Sequence, residues 1–274
     1  RYRVEHPQKQ TAAMITGQAV HTALTDGIEA FKALYIMGGP VNDKTGRVYG
    51  RDSQRFQDWL SAQPADKEYL TTEEWDTVCG IIQSLDEYPV IKSYIMDGSP
   101  DDNELTLVWR DEESGLLCKA RLDLFRAGRE SIGDIKTSED ASQDGFQASL
   151  ANYDYFRQGA FYVDGAKSCG LRDNQGRDIT SFIFLCVEKT PPYAWAMYRL
   201  DDNDLALGRA LNRADLLRIA ECRRTGIWPG YPSTREVIDY WTGEVKKEFI
   251  PIQLPAWKRR RLTRWAWVRL GGWC

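Results

Sequence analysis

Asp123, Asp134 and Lys136 lie in the stretch Leu116–Thr137, which reads LLCKARLDL, a short polar link, then SIGDIKT. In the first run Leu116, Cys118, Ala120, Leu122 and Leu124 alternate with Leu117, Lys119, Arg121 and Asp123, the period of two that describes a strand with an apolar and a charged face. In the second, Ile132, Asp134 and Lys136 share one face while Gly133, Ile135 and Thr137 share the other. Residues two apart on a strand stand about 6.5–7 Å apart. The Asp134 carboxylate and the Lys136 ammonium can therefore address one small volume, and Asp123 joins them if the strands pair as a hairpin. Two carboxylates and a lysine make a place for a hard divalent cation and a polarised water.

Spacing alone leaves two readings open. One is a solvated hairpin face with a surface ion pair, the usual fate of charged strand residues. The other is the cation site. Asp is a poor strand former, yet one sits near the end of each strand, and Asp134 is flanked by Ile132, Gly133 and Ile135, the context of a covered strand.

The chain that positions these residues has 274 residues, enough for one large domain or a core with a helical insertion. Charged residues make up 28%, as in a soluble globular protein, and no apolar run approaches the length of a membrane-spanning helix. The net charge of −4 does not advertise a nucleic-acid binder, but a local basic track beside an acidic metal site is compatible with it. The cysteines (Cys79, Cys118, Cys169, Cys186, Cys222, Cys274) are scattered without a CxxC pair, which gives zinc or iron–sulfur ligation little support. A reducing cytoplasm is the expected location. The chain opens RYRVEHP, without an initiator Met or apolar leader, and is expected to be a fragment or a processed form.

Thr11 to Leu24 reads as a helix whose small residues Ala12, Ala13, Gly17 and Ala19 let it lie close against a sheet. It carries His21, for which a structural role and a ligand role both stand. Phe31 to Gly50 reads as irregular. Arg51 to Ala62, a helix opened by the capping box Thr71–Glu74, and a short helix ending near Met96 compose a helical insertion over residues 51–97. Glu104 to Trp109 is the first strand; Glu104 either faces Asp123 or is an exposed edge charge. After the Asp134 strand, Ser138 to Ser142 cap one long helix to about Ala166, with Tyr155, Gln158 and Tyr162 on one stripe. Thr180 to Glu188 and Tyr193 to Leu200 are neighbouring strands, and Asp201 to Arg224 is a last helix ended by Gly226. The segment KRRRLTRWAWVRLGGWC (258–274) reads either as a nucleic-acid tether or as non-native sequence, set apart from a single domain over 1–257.

This order of elements resembles the PD-(D/E)xK nuclease superfamily, specifically its RecB-like branch and, within it, the exodeoxyribonuclease VIII (RecE-like) nuclease domain. HPQKQTAAMITGQAVH, the Glu104 strand with Trp109, SGLLCKARLD, the IGDIKT strand and FRQGAFYVDGAK carry the likeness. It implies an α/β (α+β) fold with a restriction-endonuclease-like core, a central mixed sheet flanked by helices.

By resemblance, Asp123 and Asp134 are the paired metal carboxylates, with the Ile135 carbonyl as a further ligand. Lys136 orients or activates the attacking water, and His21 ligates or flanks the metal. Glu104 matches an acidic position before the hairpin, and Gln158 and Tyr162 match an element that contacts DNA near the scissile phosphate. The implied activity is 5′–3′ exonuclease digestion of linear double-stranded DNA with Mg²⁺ (Mn²⁺ may substitute), leaving 3′ single strands for recombination. A ring-like homo-oligomer and a single-strand annealing partner are implied with it. The alternatives are a RecB-like nuclease for single-stranded DNA, of the kind that holds an iron–sulfur cluster, and a catalytically silent DNA-end-binding subunit.

Overall fold

A computed structural model describes residues 11–96, 99–230, 234–238 and 244–249. The chain divides into two units, Arg1–Ala220 and Glu221–Cys274. The first contains α1 (Ala12–Thr25), α2 (Ile28–Leu34), β1 (Tyr35–Met37), α3 (Gln54–Ser61), β2 (Glu68–Leu70), α4 (Thr72–Asp86), α5 (Pro89–Met96), β3 (Asn103–Arg110), β4 (Leu117–Arg126) and β5 (Ser131–Ser138). It continues with α6 (Gln143–Asn152), α7 (Tyr155–Ser168), β6 (Ser181–Glu188), β7 (Trp195–Arg199) and most of α8 (Asp202–Thr225). In the second unit β8 (Thr234–Ile238) and β9 (Val245–Phe249) form an antiparallel pair. The basic segment 258–274 lies outside the described residues.

Strands β3 to β7 lie side by side in chain order, antiparallel except for the parallel pair β5–β6. A parallel pair needs a crossover, and α6 and α7 supply it. Both sheet faces are covered. On one, Ala160, Val163 and Ala166 of α7 pack with Leu122, Ile132, Phe182 and Phe184. On the other, Ala19, Val20 and Ala23 of α1 pack with Ile81 of α4, Ile91 of α5, and Leu124, Ile135 and Leu185 of the sheet. Burial on both sides is why β6 reads as a nearly unbroken apolar run. The expected mixed sheet flanked by helices is what the chain forms.

Three local expectations are corrected. The helix expected in one piece to Ala166 is two, because Asp154 adopts φ 54°, the left-handed conformation that Asp tolerates better than most residues. Phe31 to Gly50 is not wholly irregular: it includes the end of α2 and β1, which pairs in parallel with β2. Leu124 does not share the face of Leu122; the two are buried in opposite cores. Over residues 51–97 lie α3, β2, α4 and α5, and Thr71 and Glu74 form the expected reciprocal cap on α4.

The approach of α7 to the sheet depends on Gly165. A Cβ there would come within 2.7 Å of the Trp109 ring. Gly165→Ala is expected to destabilise the protein by about 1–3 kcal/mol through overpacking, read as a lower urea midpoint with an unchanged m-value.

Candidate active site

Strands β4 and β5 pair only at Leu124↔Gly133, Phe125↔Ile132 and Arg126↔Ser131. The next step of that register sets Asp123 opposite Asp134, and there the ladder ends. Beyond it β4 continues beside β3 and β5 beside β6. The strands part at the two aspartates, leaving main-chain groups without cross-strand partners. Asp123 supplies one: its Oδ2 accepts the Ile135 N–H at 2.8 Å. On the other flank the β3–β4 register sets Glu104 opposite Asp123, between the pairs Asn103↔Leu124 and Leu105↔Leu122. Glu104 has φ 51°, a strained conformation for a glutamate of the kind that clusters at functional sites. Three adjacent strands thus place Glu104, Asp123 and Asp134 at one level of the sheet.

His21 arrives from the face covered by α1. Gly17, one turn before it, lets the helix approach β5, since a Cβ at that position would stand 3.3 Å from Thr137 Oγ1. His21 Nδ1 lies 3.3 Å from Asp123 Oδ2. One ligand atom each from His21, Glu104 and Asp123 fall within 4.8 Å of one another. Asp134 stands beside this group with its oxygens turned elsewhere. Oδ1 accepts from Gln158 Nε2 at 2.8 Å, and Oδ2 lies 2.6 Å from Lys136 Nζ in an ion pair bent away from hydrogen-bond geometry. Glu104 Oε2 is likewise beside Arg121 Nε at 2.6 Å, and among the described residues both buried oxygens lack an aligned donor.

The charges explain the electrostatics. Burial, with the Asp134 and Glu104 carboxylates, pushes the Asp123 carboxyl well above its ordinary value, against the opposing pull of the Ile135 N–H and Lys136. Burial also lowers the His21 pKa, helped by Lys136 and opposed by Asp134 and Glu104, which favours a neutral imidazole able to ligate. For Lys136 burial pulls down, but Asp134 and Asp123 outweigh it and the net shift is upward. Lys136 is therefore held as an ammonium at neutral pH.

A divalent cation fits this donor set. Hard carboxylate oxygens and a neutral imidazole are suitable ligands, and a carboxyl pushed upward by burial and then by neighbouring carboxylates sits in negative charge that a cation would relieve.

The residues singled out from sequence divide as follows. His21, Glu104 and Asp123 come together, with Asp134 and Lys136 adjacent. Gln158 reaches the site by holding Asp134. Tyr162 lies on the same helix and packs toward the core, its ring 6.1 Å from Phe182. Ile135 contributes its N–H to Asp123. Sequence reasoning placed one support on the helix stripe without its role and missed a second. Tyr155 places its ring 4.6 Å from Lys136 Nζ, a cation–π contact. Arg126, fully buried, donates to the Tyr94 carbonyl at 2.7 Å and to Asn103 Oδ1 at 2.8 Å, while Asn103 Nδ2 donates to the Thr25 carbonyl at 2.7 Å. This network ties the end of α1 to the residue preceding Glu104. The arginine at the end of an apolar strand was the available signal.

Residues 2–241 match the profile of a family described as a PDDEXK-like domain of unknown function (DUF3799). Among solved structures, the chain is similar to a Eubacterium rectale protein described as a "putative exonuclease". The two are 15% identical with a TM-score of 0.52, and the match covers 84% of this chain and 80% of that one. At this identity the likeness concerns the fold. No curated protein matches the chain. Among the described residues no helix is long and apolar enough to cross a membrane.

Proposed function

We propose, for a chain that belongs to the PDDEXK-like domain family of unknown function (DUF3799), a divalent-metal-dependent phosphodiester hydrolase that shortens linear double-stranded DNA from an end. The observation that carries the reading is the parting of β4 and β5 at Asp123 and Asp134, with Lys136 2.6 Å from Asp134. The description of the Eubacterium rectale neighbour as a "putative exonuclease" supports it. The finer reading is RecE-like: 5′–3′ polarity, Mg²⁺ with Mn²⁺ as a substitute, a cytoplasmic ring-like homo-oligomer, and a 3′ overhang passed to an annealing protein during recombination. The 1–257 segment is read as the nuclease domain.

In this reading His21, Glu104 and Asp123 hold the cation, together with Asp134 and the Ile135 carbonyl. When bound, the cation supplies Lewis-acid polarisation of the phosphate and a more acidic water. The Ile135 N–H fixes one oxygen of Asp123, leaving the other for binding. Gln158 fixes Asp134, and Tyr155 holds Lys136 in place. The Lys136 ammonium supplies positive charge where negative charge develops on the phosphate oxygens. Gln158, held by Asp134, and the hydroxyl end of Tyr162, whose ring packs on Phe182, are the groups assigned to DNA contact near the cut.

The test is digestion of linear duplex DNA, labelled at the 5′ or the 3′ end, beside closed circular DNA, with Mg²⁺ or with a chelator. Early release of 5′ label from linear DNA alone, abolished by the chelator, is the expected result. Cutting of circles would mean an endonuclease. Retained DNA binding without cleavage in any divalent metal would replace the hydrolase with a DNA-end-binding subunit.

A further inference from the structure

Beside the acidic group, on the far side of Lys136, a cleft of about 490 Å³ opens between the start of α1, the end of β5 and the α6–α7 break. That size falls in the range of roughly 300–1,000 Å³ typical of small-molecule sites. Its lining includes Met14, Lys136, Glu139, Tyr153, Tyr155 and Lys189. Its charges do not favour an anion: Lys136 pairs with Asp134 behind the cleft wall, Lys189 pairs with Glu139, and Asp140 adds a further carboxylate to the lining. Coulomb attraction for a phosphate backbone is therefore weak here, and what the cleft offers is aromatic surface.

The aromatic surface is built in a definite way. The left-handed turn at Asp154 ends α6 and leaves Tyr153 at its C-terminus, 68% exposed. The Tyr153 ring is stacked on Tyr155 with centroids 5.4 Å apart and planes 29° apart. Tyr155 in turn lies under the Lys136 ammonium, 4.6 Å away. One ring thus contacts the group that would act on the phosphate, and the next presents itself at the cleft. An exposed Tyr ring backed by a second ring is a platform on which a nucleobase can lie flat, with little dependence on base identity.

We propose that Tyr153 is a stacking platform for an unpaired nucleobase next to the phosphate at Lys136, so that this cleft receives the end of one DNA strand separated from its complement. The inference rests on the nuclease reading above and adds a substrate-positioning residue to it. A base within a duplex is already stacked on both faces, so occupation of Tyr153 requires that the end base be unpaired first.

The experiment compares wild type, Tyr153→Ala and Tyr153→Phe on duplexes carrying a single abasic residue scanned over the end positions. Release rates are measured alongside 2-aminopurine fluorescence of an end-labelled strand bound by each protein. Wild type and Tyr153→Phe are expected to quench the fluorophore and to slow roughly ten-fold when the abasic residue reaches one position. Tyr153→Ala is expected to be slow on intact DNA and indifferent to the abasic residue. Its exposed position leaves the fold intact, checked by an unchanged melting temperature. If Tyr153→Ala responds to the abasic scan as wild type does, the platform is overturned while the nuclease reading stands. If wild type cuts no DNA in any divalent metal, both fall together.

Discussion

Asp123→Asn is expected to abolish DNA cleavage and, in metal-free protein, to raise the melting temperature. The two effects have one cause. Asp123 lies nearly buried between Glu104 and Asp134, and burial with these neighbours holds its carboxyl well above the ordinary value of 3.8. An amide keeps the shape and its oxygen can still accept the Ile135 N–H, but it carries no charge. Cleavage loses a cation ligand worth several kcal/mol of transition-state stabilisation, on the order of a thousand-fold in rate. Stability gains because a buried charge facing like charges is removed. For a chain of this size each kcal/mol corresponds to about 2–4 °C.

The sign follows from linkage. A carboxyl whose folded pKa is raised binds its proton more tightly in the native state, so it favours folding at low pH and loses that contribution as pH rises through the folded pKa. The gain from Asp123→Asn should therefore be absent below the ordinary carboxylate value of 3.8 and grow above it until the folded carboxyl has ionised. Melting curves of both proteins in chelator across that range test this; a variant less stable than wild type at neutral pH would contradict the electrostatic account. Added Mg²⁺ should stabilise wild type and leave the variant nearly unmoved.

How much of this was legible in the sequence depended on whether the controlling physics was local. The alternation from Leu116 to Leu122 and the apolar run of β6 announced their strands, and Thr71 with Glu74 announced a helix start. The Asp134–Lys136 pair was legible because residues two apart on a strand must share a face. The parting of β4 from β5 was not, because it depends on which neighbour each strand keeps, and Leu124 continues the alternation in sequence while changing sides in space. Asp154 also hid its effect: Asn, Tyr, Asp and Tyr all occur within helices, and only the left-handed backbone divides α6 from α7. His21 and Glu104 stayed ambiguous in sequence since each is a single polar residue, and their meeting with Asp123 is a tertiary event.

Asp134→Ala should also lose cleavage, but its stability should fall where that of Asp123→Asn rises. Asp134 is 1% exposed, and its carboxylate is what keeps the largely buried Lys136 charged. Deleting it leaves the ammonium without its counter-ion and the Gln158 amide without its acceptor. Breaking a buried ion pair from one side costs about 3–5 kcal/mol, because the remaining charge is uncompensated. The same logic applies to Lys136→Met, which leaves Asp134 buried among carboxylates, whereas the double variant Asp134→Ala/Lys136→Met removes both charges and should be destabilised by less than the two single variants together. A double-mutant cycle in urea therefore separates the two roles of this pair. The single variants should be destabilised by amounts that do not add, and the double variant should be folded and inactive. If the single effects add instead, Asp134 and Lys136 are not coupled in solution, and charge balance at this site must come from elsewhere. If the double variant still cuts DNA, hydrolysis does not run through Asp134 and Lys136.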